Sequence, residues 1–192
     1  TERLHMTPLG EIDREALIGR FIHEAERLSA VVYRPQSDSS AISVIKQLLR
    51  DDTSVAAWQF DQIGLPALAR VLAAADITVA AENDPSVRVG ITGVTAALAA
   101  TGSLVLPSGA GRPRATSLLP PVHIAVVREG QISADFDTWI SQQRANLTEF
   151  RQSSNIIVIS GASRTGDIAM ELILGMHGPR ELHILLLPDS AL

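Results

Sequence analysis

The stretch Asn155-Ile156-Ile157-Val158-Ile159-Ser160-Gly161-Ala162-Ser163-Arg164-Thr165-Gly166-Asp167 continues through an apolar segment into Gly175-Met176-His177-Gly178-Pro179-Arg180 and a second apolar run, residues 183–187. Its order reads as strand, polar turn, helix, turn and strand. A strand ending in Ser, Gly and Thr and feeding a helix leaves backbone N–H groups and hydroxyls where an anion is favoured. The simpler role for Ser163 or Thr165 is to cap that helix, and Asp167 in its first turn suits the helix dipole.

The same alternation extends backwards along the chain. Ala16, Leu17, Phe21, Ala25 and Leu28 have the spacing of an amphipathic helix. Val31-Val32-Tyr33 reads as a strand, a helix follows through Ile42, Ile45 and Leu49, and Val55-Ala56-Ala57-Trp58 reads as the next strand. A helix over residues 68–74 and a strand over residues 77–80 continue the series. Gly90-Ile91-Thr92-Gly93 opens the second half and leads through an Ala-rich stretch, read as helix to Ala100, into the strand Leu104-Val105-Leu106. Residues 122–127 form a further strand, and Phe136, Trp139, Ile140, Leu147 and Phe150 mark one long helix. Strands alternating with helices favour a mostly parallel sheet covered by helices on both faces.

With 192 residues and no internal repeat, low-complexity tract or linker, the chain is expected to form one domain, residues 1–192, with residues 1–29 as an N-terminal helical arm. It contains no cysteine, so these residues supply no disulfide, no thiolate for zinc and no thiolate for an iron–sulfur cluster. The formal net charge is -5, with no basic run interleaved with aromatics, which argues against nucleic acid as partner. Apolar runs are strand-length and no charged-then-apolar leader pattern is present, so the expectation is a cytoplasmic protein with no membrane span.

Three turns leave strands with residues that bind anions: Thr92 and Gly93; Ser108-Gly109-Ala110-Gly111 with Arg112 and Arg114; and Ser160 to Thr165 with Gly161, Ser163 and Arg164. Loops at the carboxyl ends of parallel strands converge on one edge of the sheet, and convergence here would make one anionic pocket. No P-loop and no dinucleotide fingerprint is present. His123, His177 and His183 fit no short metal motif, and no metal site is expected. A structural role is the simpler reading for each histidine, with His123 the preferred functional one.

Five ordered blocks carry a family resemblance: residues 90–93, Thr101-Gly102-Ser103-Leu104-Val105-Leu106, residues 117–127, residues 160–168 and residues 175–183. Together they resemble the lactate utilisation (LUD) domain family in its LutC-type form. The resemblance implies a three-layer α/β/α fold similar to the NagB/RpiA/CoA-transferase-like group. It also implies an accessory role in oxidising L-lactate to pyruvate, beside partner subunits that hold the iron–sulfur clusters. This chain would need no cofactor of its own. A small-anion pocket would draw on Thr92, Gly93, Thr101, Gly102, Ser103, His123 and the turn from Ser160 to Asp167. Ala100 and Ala169 stand where the family usually has an acid. Two other readings stand beside this one. The first is a stand-alone enzyme acting on a phosphorylated, CoA-linked or folate-type small molecule, with Arg112 and Arg114 clamping phosphate. The second is a ligand-free regulatory or assembly module.

Overall fold

A computed structural model describes residues 13–81, 83–144, 151, 153–166, 172–174 and 178–189, with backbone only for 164–166 and 172–174. Its frame is a six-stranded sheet made of β1 (Ala30–Tyr33), β2 (Ser54–Ala57), β3 (Thr78–Val79), β4 (Val89–Thr92), β7 (Val122–Arg128) and β12 (Glu181–Leu187). The spatial order is β1-β12-β7-β4-β2-β3. Every neighbouring pair in it is parallel. The central strands are buried along nearly their whole length, which explains why they read as continuous apolar runs rather than alternating ones.

Helices α1 (Arg14–Arg27), α2 (Asp38–Leu49), α3 (Phe60–Ile63) and α4 (Leu68–Ala74) flank this sheet and give the α/β architecture. In α1, Ile18, Phe21 and Ala25 recur at helical spacing and are fully buried in the main core, so this helix is a packed layer of the fold. In α2, Ser37 and Ser40 form a reciprocal capping box, and Ala41, Ile42, Ile45 and Leu49 face the core.

A second sheet has the order β8-β5-β6-β9, with β5 (Ala96–Leu98), β6 (Ser103–Ser108), β8 (Ile132–Ser133) and β9 (Asn155–Ile159). It corrects two expectations. The Ala-rich stretch forms β5 and a turn, not a helix: Ala96, Ala97 and Leu98 are buried between β6 and β8, and that packing overrides alanine's helical preference. The run in β9 does not join the parallel sheet but pairs antiparallel with β6 at the edge of this one. Its outer face is covered by α5 (Phe136–Gln143), whose Trp139 packs on Ala96, Leu98 and Val105. Leu147 and Phe150, expected in the same helix, lie outside the described residues.

A third correction concerns the segment after β9. Where a helix was expected, β10 (Arg164–Gly166) pairs antiparallel with β11 (Leu172–Leu174). A mostly apolar stretch of eight residues between Gly166 and Gly175, broken by Asp167 and Glu171, fits a strand as well as two helical turns, and periodicity alone does not separate them.

Candidate functional site

The expected site residues do not gather in one place. Thr92 and His123 lie inside the parallel sheet, both fully buried, with Thr92 Oγ1 and His123 Nε2 2.9 Å apart. Burial disfavours the imidazolium and lowers the pKa of His123 to about 3, so the ring is neutral. Its Nδ1 has no hydrogen-bond partner among the described residues. Neighbouring Gly90 admits the backbone of a 3₁₀ turn, Arg114–Ser117: a Cβ there would stand 1.9 Å from the Thr116 carbonyl oxygen. The turn and Pro120 roof the sheet at this point, and His123 has no exposed surface on which to meet a ligand.

The second place is a chain of hydroxyls. Thr101 Oγ1 lies 2.8 Å from Ser103 Oγ, which lies 2.8 Å from Ser160 Oγ. The glycines beside them serve close packing. Gly102 takes a φ of +64° and Gly161 one of +80°, and a Cβ at either would stand 2.2 Å from a backbone atom of Ala25 or Leu28, at the end of α1. The hydroxyl chain therefore sits beside a helix C-terminus, whose field favours donors and cations over anions. Ala100 lies in the same turn, its N–H donating to the Ala134 carbonyl at 2.8 Å. Ser163 donates its backbone N–H to the Pro179 carbonyl at 2.8 Å. Arg164 and Thr165 lie in β10, while Asp167 and His177 are outside the described residues.

The third place is a cleft of about 300 Å³ at the carboxyl ends of β2, β4 and β7. Trp58, Asp61 and Gln62 enter it from the segment after β2, and Gly93 and Val94 from the end of β4. Arg128 and Gln131 follow β7, and Arg112 comes from the loop after β6. A Cβ on Gly93 would stand 2.3 Å from the Gln62 carbonyl oxygen, so glycine lets α3 close against β4. The connection leaving β2 runs to β3 on one side, and the one leaving β4 leads towards β7 on the other. The cleft thus lies at the topological switch point, where ligands bind in open α/β sheets.

The hydroxyl chain and the Arg112 loop leave opposite ends of β6, separated by about 17 Å at the rise of an antiparallel strand. They do not form one pocket. Nor do Arg112 and Arg114 form a clamp, because Arg114 lines a different cleft with Asn83, Leu118 and Leu119.

The sequence pattern described as LUD domain matches residues 18–187. The chain belongs to the LUD domain family. Among its relatives, the uncharacterized protein NMB1437 of Neisseria meningitidis is 39% identical over 101 residues, covering 52% of this chain and 42% of that protein. Lactate utilization protein C of Macrococcus caseolyticus is 34% identical over 103 residues, 53% of this chain and 45% of that one. Less than half the length of these relatives is therefore matched. The crystal structure of a DUF162 family protein from Deinococcus radiodurans superimposes with a TM-score of 0.69 at 22% identity, over 92% of this chain and 99% of that one. This agrees with the expected α/β fold.

Within this LUD domain, sequence reasoning missed Trp58, Asp61, Arg128 and Gln131, whose only signal was their position just after strands. Arg128 fixes one wall. Its guanidinium donates to Asp38 Oδ1 at 2.7 Å, to the Gly64 carbonyl at 2.7 Å and to the Pro188 carbonyl at 3.0 Å. Gln131 accepts from the Arg128 backbone N–H and donates to the Val94 carbonyl. Arg128→Ala is expected to cost about 1–3 kcal/mol in urea denaturation, because three acceptors lose a charged donor. Lysine should recover only part of this, lacking the planar fork. Among the described residues no group of three or more potential metal-binding side chains converges, and no helix is long and apolar enough to cross a membrane.

Proposed function

We propose that this LUD domain serves the oxidation of L-lactate to pyruvate as a cytoplasmic accessory subunit, with the switch-point cleft as its small-anion pocket. The observation that carries the reading is the similarity, at 33–38% identity, to proteins named lactate utilization protein C from several bacteria. Iron–sulfur clusters in such a system would belong to partner subunits, in keeping with a sequence that supplies no thiolate ligand. Arg112 and Arg128 bring two guanidinium groups to the lining of the cleft, beside one carboxylate, Asp61. The competing phosphate clamp lacks its geometry, since Arg112 and Arg114 line different clefts.

Deleting the gene in its source organism should abolish growth on L-lactate as sole carbon source and leave growth on pyruvate intact. The tagged full-length product should co-purify with iron–sulfur proteins. Unchanged growth on L-lactate, with no such partner recovered, would sink the proposal.

A further inference from the structure

We infer that the open edge of β3, with the groove between it and α4, docks an extended peptide segment of a partner protein that carries apolar side chains at alternate positions and a Lys or Arg beside them.

The parallel sheet stops at β3, and among the described residues no strand pairs on its outer side. Thr78 and Ala80 donate their backbone N–H groups inward, to the carbonyls of Thr53 and Val55, at 2.9 Å each. Backbone alternation then turns the N–H and C=O of Val79 outward, where an added strand can pair with them. Edges are commonly blunted by lysine, proline or a covering segment, yet here Val79 is 49% exposed between Thr78 and Ala80. Because β3 is short, backbone pairing supplies few bonds and the groove must supply the rest.

About 460 Å³ opens between this edge and α4, lined by Phe60, Ala69, Leu72, Ala73, Ile77 and Val79, with Asp76 at its rim. Ile77 and Val79 stand two residues apart and both face the groove, so an added strand directs every second side chain into it. Ala69 and Ala73 lie one turn apart on α4, and their short side chains leave room for larger ones.

Charge decides the occupant. Asp76 is the one charged residue lining the groove, is exposed and makes no ion pair among the described residues. A cationic side chain is matched there and an acidic one repelled. A second copy of this chain fits less well, since its edge brings the same Asp76 and no cation, on a protein of net charge -5.

The test is selection of a random octapeptide library, displayed on phage, against the purified full-length product, followed by fluorescence anisotropy of the enriched peptides. Selected sequences should share apolar residues two positions apart and a Lys or Arg near them. Val79→Pro removes the outward N–H but no bond to β2, a change that edge strands tolerate, and should weaken the peptide by about fivefold or more. Ala73→Arg sets a long cation in the groove beside Asp76, on an exposed position in the last turn of α4 that suits the helix dipole, and should weaken it by about tenfold or more. Asp76→Asn keeps a residue type that accepts the φ of +54° at this position. It should bring a selected peptide and its counterpart with glutamine at the basic position to within about twofold of each other. Urea midpoints near the parent's confirm that each variant folds. No enrichment over the bare support, enrichment of acidic peptides, or binding unchanged in either Val79→Pro or Ala73→Arg would overturn the inference. A concentration-dependent dimer in sedimentation that Ala73→Arg abolishes would also overturn it, by giving the edge to a second copy.

Discussion

Gly102→Ala should destabilise the protein by about 3–5 kcal/mol, a large part of the 5–15 kcal/mol that holds an ordinary domain folded. Two costs add. The φ of +64° is one an L side chain adopts with strain, and the new Cβ would stand 2.2 Å from the backbone nitrogen of Ala25 and 2.4 Å from the carbonyl carbon of Glu24. Neither contact is the far end of a flexible side chain. Relief would require α1 to move, and Ile18, Phe21 and Ala25 lock it into the main core with at most 1% of their surface exposed. Gly19 provides the control. It lies on the exposed side of the same helix, where an added Cβ would meet nothing within 4 Å, so Gly19→Ala should stabilise by about 0.5–1 kcal/mol through helix propensity. Urea denaturation of the two variants beside the parent protein reads both effects. A Gly102→Ala protein within about 1 kcal/mol of the parent would mean that α1 does not press on this turn.

The role of Gly102 also shows what the sequence could convey. Its presence in a Ser/Thr-rich turn was legible, and so was the strand that follows. What the glycine is for was not, because its contact lies about 75 residues away on α1 and depends on how two layers meet. The parallel sheet was legible for the opposite reason: strands buried on both faces are written as local apolar runs, as in residues 122–127 and 183–187. Ala96-Ala97-Leu98 misled because small residues serve equally for close packing in a strand and for a helix. The cleft was half legible. Gly93 and Arg112 were expected to bind ligand and line it, but Trp58, Asp61 and Arg128 are ordinary residue types that only the strand order β7-β4-β2 brings together. His123 was singled out for its chemistry and proves to be a neutral member of the core.

That burial gives the second large expected effect, a loss of stability in mild acid. The pKa of His123 is about 3 in the folded protein against 6.5 for an ordinary histidine, so below pH 6.5 the unfolded chain binds a proton that the folded chain does not. The stabilisation is complete above pH 6.5 and is lost as pH falls towards 3. Each pH unit in that window should raise the unfolding constant about tenfold, or roughly 2–3 kcal/mol by pH 4.5. Asp135 and Asp84 are held below the usual carboxylate range, by the Thr138 backbone N–H and by Ser86 respectively, and they contribute the same sign only at lower pH. Among the described residues, the interval between pH 6.5 and 4.5 therefore belongs chiefly to His123. Urea midpoints for the parent protein and for His123→Gln, which keeps a hydrogen-bonding group beside Thr92 but cannot titrate, should diverge there. The variant starts less stable at pH 7, because the glutamine fills the imidazole space poorly, yet loses less on acidification. Equal slopes in the two proteins would mean that the ring is hydrated and free to protonate, and the roof formed by Thr116 and Pro120 would then be open to solvent.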